Sequence, residues 1–127
     1  MTDLDPDLES VHQWCVAAAL AADGKKAEDV VIFDVGQILA ITDSFVIASA
    51  PTDRLVRAIA EEIEQVLKDA GGPTPLQVEG MRQGDWVLLD YGDFVVHVFR
   101  EETRRFYDLE RLWSDAPRVP FEETVPA

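Results

Sequence analysis

The stretch "WVLLDYGDFVVHVF", residues 86–99, constrains the fold more than any other part of the chain. Two runs rich in β-branched and aromatic residues meet over Gly92-Asp93, the composition of a two-residue hairpin turn. With Gly92-Asp93 as the turn, Tyr91 pairs with Phe94; with Tyr91-Gly92 as the turn, Asp90 pairs with Asp93. Side chains alternate across a strand, so both registers assign the same faces. One face carries Trp86, Leu88, Asp90, Val95, His97 and Phe99; the other carries Val87, Leu89, Phe94, Val96 and Val98. The second is apolar, Tyr91 aside, and fits beneath helices. The first mixes large aromatics with a carboxylate and an imidazole, which is closer to an interface core than to a sealed interior. Water or a partner is expected to reach it, because an isolated buried Asp90 carries a heavy desolvation cost. Internal satisfaction by Arg104, Arg105 and Tyr107, close in sequence, is the competing explanation.

The rest of the chain supplies elements to pack on that hairpin. Leu8, Val11, Cys15, Ala18, Ala19 and Ala22 recur at helical spacing between an Asp-Pro pair and Gly24, a helix with its start and stop. "EDVVIFDV" and "DSFVIASA" are strands by composition. Thr52 is an N-cap for a second helix with the stripe Leu55, Val56, Ile59, Ile63, Val66 and Leu67, ended by Gly71-Gly72-Pro73. "PLQVEG" is a short strand. In "EETRRFYDLERLW", Phe106, Leu109, Leu112 and Trp113 fall three and four apart, which predicts one third helix. The order α-β-β-α-β-β-β-α gives an α/β class: a mixed sheet of about five strands with helices packed on it. Residues 1–113 form one domain with an acidic N-terminal extension at 1–7, and 114–127 is a proline-containing C-terminal tail, extended or mobile.

Charge narrows the partners. The formal net charge of −14, from 25 acidic and 11 basic residues, is repelled by phosphate backbones and anionic membranes. No direct DNA binding and no membrane association are expected, and a cationic protein surface is the natural counterpart. One cysteine, Cys15, leaves no intramolecular disulfide and fits a reducing compartment. With no secretory signal and no apolar run of spanning length, a cytoplasmic protein is expected.

Catalytic readings find little support. Asp43, Asp90 and Asp93 could ligate a divalent cation in a metal-dependent nucleotidyltransferase, but no glycine loop that would cradle a triphosphate occurs. His12 and Cys15, three apart on the first helix, have no second pair to complete a metal site. Ser44 and Ser49 lack a neighbouring base in any nucleophile motif. No catalytic residue, metal or cofactor is assigned.

In order along the chain, "ITDSFVIASAPTDR", "VEG", "WVLLDYGDFVVHVF" and "RRFYDLERLW" closely resemble the ribosomal silencing factor family, also called Iojap-like. The likeness runs from about Leu8 to Trp113. It implies a fold similar to that of nucleotidyltransferases, without their Gly-Ser entry motif or close acidic pair. It also implies a translational repressor without catalytic activity: a protein that binds the large ribosomal subunit through ribosomal protein L fourteen and blocks joining of the small subunit when nutrients are scarce. Homodimer formation is a further implication. The family's docking surface is similar to the mixed hairpin face and the start of the third helix, here Trp86, Leu88, Asp90, Tyr91, Asp93, His97, Phe99 and Tyr107. Trp86 and Phe99 would be the apolar anchors with Leu88 between them, and Asp90 and Asp93 would pair with basic groups of the partner. A protonated His97 against Asp90 would make binding sensitive to pH near neutrality. A metal-dependent nucleotidyltransferase and a homodimeric interaction module without a ribosome role are the alternatives.

Overall fold

A proline at the first helical position needs no N–H partner and arrives with a helical φ, and α1 (Pro6–Gly24) starts on one. The computed structural model describes residues 6–36 and 42–121, with the backbone alone for 6–9. Asp3 and Asp5 of the acidic extension, the side chains of Asp7, Leu8 and Glu9, and residues 122–127 lie outside the described residues. Val11, Cys15, Ala18, Ala19 and Ala22 are all buried, the stripe their spacing predicts. α2 (Asp53–Asp69) is capped by the Thr52 hydroxyl, which accepts the Leu55 N–H at 3.1 Å. Its other end is closed where Gly71 and Gly72 donate to the carbonyls of Lys68 and Leu67 at 3.0 and 2.8 Å, a turn that the positive φ of Gly71 allows.

β1 (Glu28–Asp34), β2 (Ser44–Ala50), β3 (Gln77–Glu79), β4 (Trp86–Asp90) and β5 (Phe94–Arg100) form one mixed sheet in the order β1-β2-β5-β4-β3. β2 and β5 run parallel at its centre, and every other pairing is antiparallel. α1 and α2 cover one face. There Val46, Ala48, Ala50, Val87, Leu89, Val96 and Val98 meet Ile59, Ile63, Leu67 and the small residues of α1 in one buried cluster. At about 1.5–3 kcal/mol per fully buried aliphatic side chain, this face supplies most of the hydrophobic stabilisation.

The opposite face differs from expectation in two respects. The third helix is not continuous: α3 (Glu101–Tyr107) stops at Asp108, which takes left-handed φ and ψ of 46° and 49°, and a short α4 (Leu109–Leu112) follows in a new direction. The four-residue stripe therefore divides, with Leu109 and Trp113 packed inward and Phe106 and Leu112 left in solvent. After a turn at 114–116, residues 117–121 run along the outer edge of β1. Asp34 donates to Pro117 at 2.7 Å, Val119 donates to Ile32 at 2.9 Å, and Phe33 and Arg118 form an antiparallel bridge. The Arg118 guanidinium lies 5.4 Å from the Phe33 ring centre, within cation–π range. This segment covers an otherwise open sheet edge.

Candidate docking site

The hairpin pairs Trp86 with Phe99, Leu88 with His97 and Asp90 with Val95, so Gly92-Asp93 is the turn. Gly92 has φ +86°, and the Asp90 carboxylate accepts its N–H at 2.8 Å. Asp90 is thus a turn-former before it is anything else. Asp93 is exposed at the tip, and its carbonyl accepts from Asp43 at 2.8 Å, tying the hairpin to the start of β2. Tyr91 lies on the helix-covered side, buried and stacked on Phe94 at 4.6 Å between centroids. Burial, with the Glu64 carboxylate nearby, pushes its phenol above the usual range. It cannot reach a partner across the other face.

On that other face the chain covers half of what the sequence leaves open. Phe99 is fully buried and His97 is 5% exposed; Phe45, Trp113, Leu109 and Ala116 close over them. These two docking candidates are therefore supports and not contact residues, because the broken third helix and the segment after it lie across them. Trp86, Leu88, Asp90 and Val95 stay partly accessible. The Trp86 indole stacks on Phe99 at 4.8 Å and donates its N–H to His97 Nδ1 at 3.1 Å. An indole N–H can only donate, so Nδ1 is unprotonated and the imidazole is neutral with its hydrogen on Nε2. Burial lowers the His97 pKa to about 4. The expected His97–Asp90 pair does not form, since Asp90 is used in its own turn, and the pH sensitivity near neutrality built on that pair goes with it.

Tyr107, half-exposed, extends the accessible surface: its ring lies 5.0 Å from Trp86 and 5.0 Å from Phe106, which is 81% exposed. Leu88, Trp86, Tyr107 and Phe106 form a continuous apolar ridge with acids at its turn end. Phe106 is the residue that sequence reasoning missed, because a continuous helix would have turned it toward the core. The break that frees it is held by Arg104. This buried guanidinium grips both Glu110 oxygens at 2.8 and 2.9 Å and donates to the Ser49 hydroxyl at 2.9 Å, a bidentate geometry that fixes direction as well as distance. The Arg104 hydrogen bond holds the Glu110 carboxyl below the usual carboxylate range. The same residues line a polar cleft of about 600 Å³ beside Asp29, Arg105 and Arg118.

The alternative chemistries gain little from the geometry. Cys15 is fully buried, and burial pushes its thiol up to about 12, far from a nucleophile's range. His12 Nε2 lies 3.8 Å from Asp34, not from a thiolate. Ser49 is occupied between Arg104 and the Glu28 carbonyl, and Ser44 is buried beside Cys15. Among the described residues no three His, Cys, Asp or Glu side chains gather as a metal-ligand set. Among them, too, no helix is long and apolar enough to cross a membrane.

A family described as "Ribosomal silencing factor during starvation" matches residues 8–127. The chain belongs to the ribosomal silencing factor family. Its curated relatives include the ribosomal silencing factor of Halalkalibacterium halodurans, 43% identical over 85% of this chain and 92% of that protein. A more distant one is the mouse mitochondrial assembly of ribosomal large subunit protein 1, 32% identical over 71% of this chain and 40% of that protein. A crystal structure of a Chromobacterium violaceum protein shares the fold with a TM-score of 0.77 and 30% identity, covering 91% of this chain and 88% of that one. Membership makes the chain a ribosome-associated regulator of translation. The match also reaches past Trp113 through the residues that line the edge of β1.

Proposed function

We propose that this protein represses translation by holding the large ribosomal subunit apart from the small one. The ridge formed by Trp86, Leu88, Tyr107 and Phe106 docks on ribosomal protein L fourteen, while Asp90 and Asp93 face basic groups of that partner. His97 and Phe99 act from beneath, by fixing the indole. The domain then occupies space that the small subunit needs. This mechanism is steric: it asks for no nucleotide, metal or bond-making step.

One observation carries the reading. A tryptophan stacked from below, hydrogen-bonded at its nitrogen and continued by the Tyr107 and Phe106 rings on α3 is an oriented apolar anchor at the surface. Interface hot spots are rich in such residues. Within the family, the mouse relative's name refers to the large subunit, which supports that subunit as the partner here.

Co-sedimentation with purified large subunits, followed by addition of small subunits, tests the proposal. The protein is expected to pellet with large subunits and to lower the yield of joined particles. Trp86→Ala is expected to weaken that binding by tenfold or more, about 1.4 kcal/mol or above, with the fold retained. Wild-type protein that stays in the supernatant would leave only an interaction module without a ribosome role.

A further inference from the structure

We infer that Glu79 is a further contact residue of the docking face: its carboxylate pairs with a lysine or arginine of the protein surface that covers Leu88. The inference rests on the docking reading above and adds a residue to it.

The motif "VEG", residues 78–80, is the part of the sequence pattern that the aromatic ridge leaves unused. Val78 pairs with Leu89, and Glu79 with Leu88, in the antiparallel ladder of β3 and β4. Directly opposed residues share a face of the sheet, with β-carbons about 4.5–5.5 Å apart. Val78 therefore lies on the helix-covered side with Leu89, and Glu79 lies on the ridge side, abreast of Leu88. Gly80 sets the approach of the two strands. With φ +87° it passes so close to β4 that a β-carbon there would overlap the Trp86 carbonyl oxygen. Its own carbonyl accepts the Gly84 N–H at 2.9 Å, which closes the turn that follows. The backbone that carries Glu79 is thus fixed against the strand that carries Trp86.

The carboxylate itself is uncommitted. Glu79 is exposed, and no ion pair or side-chain hydrogen bond engages it among the described residues. Arg57, which reaches the loop after β3, is turned to the carbonyls of Met81 and Arg82 at 3.5 and 3.3 Å. Asp90 differs, since its carboxylate already takes the Gly92 N–H. Position and chemistry together name the occupant. A surface that buries Leu88 must also take Glu79 out of water, because the two stand side by side. An ionised carboxylate desolvated against apolar atoms is heavily penalised, whereas a lysine or arginine answers it with a charge-assisted hydrogen bond. A phosphate group is repelled from the same spot. The partner is therefore basic at this point as well as apolar over Trp86, and Glu79 selects against surfaces of similar shape that lack the cation.

Glu79→Gln keeps the side chain's shape and removes its charge; Glu79→Lys reverses the charge. Both are compared with wild type, with Trp86→Ala and with Asp69→Asn, which neutralises an exposed acid at the end of α2 on the opposite side of the sheet. Binding is measured to isolated ribosomal protein L fourteen and to whole large subunits, at about 50 and about 200 mM salt. Thermal unfolding verifies that each variant is folded. At the lower salt Glu79→Gln is expected to bind both about tenfold more weakly and Glu79→Lys about a hundredfold, with smaller ratios at the higher salt. Asp69→Asn is expected to stay within about twofold of wild type. Glu79→Gln equal to Asp69→Asn, with Trp86→Ala weakened, would overturn the Glu79 contact and leave the docking reading standing. A loss by Glu79→Gln on whole subunits but not on the isolated protein would place the carboxylate against another component and overturn the pairing with the docked protein. Unchanged binding by Trp86→Ala, or no binding by wild type, would overturn the docking reading and this inference with it.

Discussion

The two faces of the sheet are covered by different means, and the contrast locates function. Beneath α1 and α2 the packing is continuous and aliphatic. Val46, Val87, Leu89, Val96 and Val98 are all fully buried there, and Ser44 and Tyr91 bring polar groups at the strand ends. The opposite face is closed by a seven-residue helix, a four-residue helix and an extended segment. Its cover contributes the Trp113 indole and the buried Arg104 guanidinium, closes over the His97 imidazole, and leaves Trp86 and Leu88 partly accessible. Stability is concentrated under the long helices. The proposed recognition surface lies where the cover is thin, because side chains that sealed the sheet there would leave nothing for a partner to bury.

The largest effect that sharpens this contrast is on the helix-covered face. Leu89→Ala removes a fully buried side chain from a cluster with little freedom to collapse, and is expected to cost about 2–5 kcal/mol. Urea unfolding measures it. At a temperature where the variant is still folded, ribosome binding is expected to equal wild type. A binding loss greater than the unfolded fraction would mean that the two faces are coupled and the separation drawn here is wrong.

The pH prediction belongs to the thinly covered face. His97 has a folded pKa of about 4 against an ordinary 6.5, so the unfolded chain binds its proton first as pH falls. Its contribution to stability is fully present above about pH 6.5 and is lost as pH falls toward 4, by about 1.4 kcal/mol per unit and about 3 kcal/mol in all. Urea unfolding of wild type and His97→Phe at pH 7.5, 5 and 4 isolates this term, since carboxylates titrate alike in both. The difference between the two proteins is expected to shift in favour of the variant as pH drops. Parallel pH profiles would mean that His97 is not held neutral by burial.

Local periodicity and turn chemistry made most of this fold legible. Thr52 as a cap, the Gly71-Gly72 stop and the even hairpin loop are decisions taken within a few residues, and the structure repeats each one. What the sequence hides is non-local. Nothing in "RRFYDLERLW" announces a left-handed residue at Asp108, because the break depends on Arg104 reaching Ser49, 55 positions away, as well as Glu110. The segment after Trp113 reads as loop because prolines interrupt its periodicity, yet its bonds use the carbonyl of Pro117 and the N–H of Val119. The docking candidates divide along the same line. Hairpin alternation put Trp86 and Leu88 on the face that stays partly open, whereas the covering of His97 and Phe99 depends on elements whose path the sequence does not state. Asp90 had a local signal, an aspartate two residues before a turn glycine.

The smallest expected effect on stability tests the contrast most sharply. Phe106 is 81% exposed and Leu112 is 72% exposed, so truncating either to alanine is expected to change folding stability by no more than about 0.5 kcal/mol. They differ in position. Phe106 touches the Tyr107 ring that continues to Trp86, whereas Leu112 lies beyond the Asp108 break. Phe106→Ala is accordingly expected to weaken subunit binding by several-fold, and Leu112→Ala to leave it within twofold. The reverse pattern would move the docking surface onto α4 and make the Trp86 stack part of the core's closure; equal losses would extend it across the break. Since neither residue supports the fold, any change in binding reports contact directly, and the expected pattern would make the orientation of α3, held by Arg104, part of the proposed docking surface.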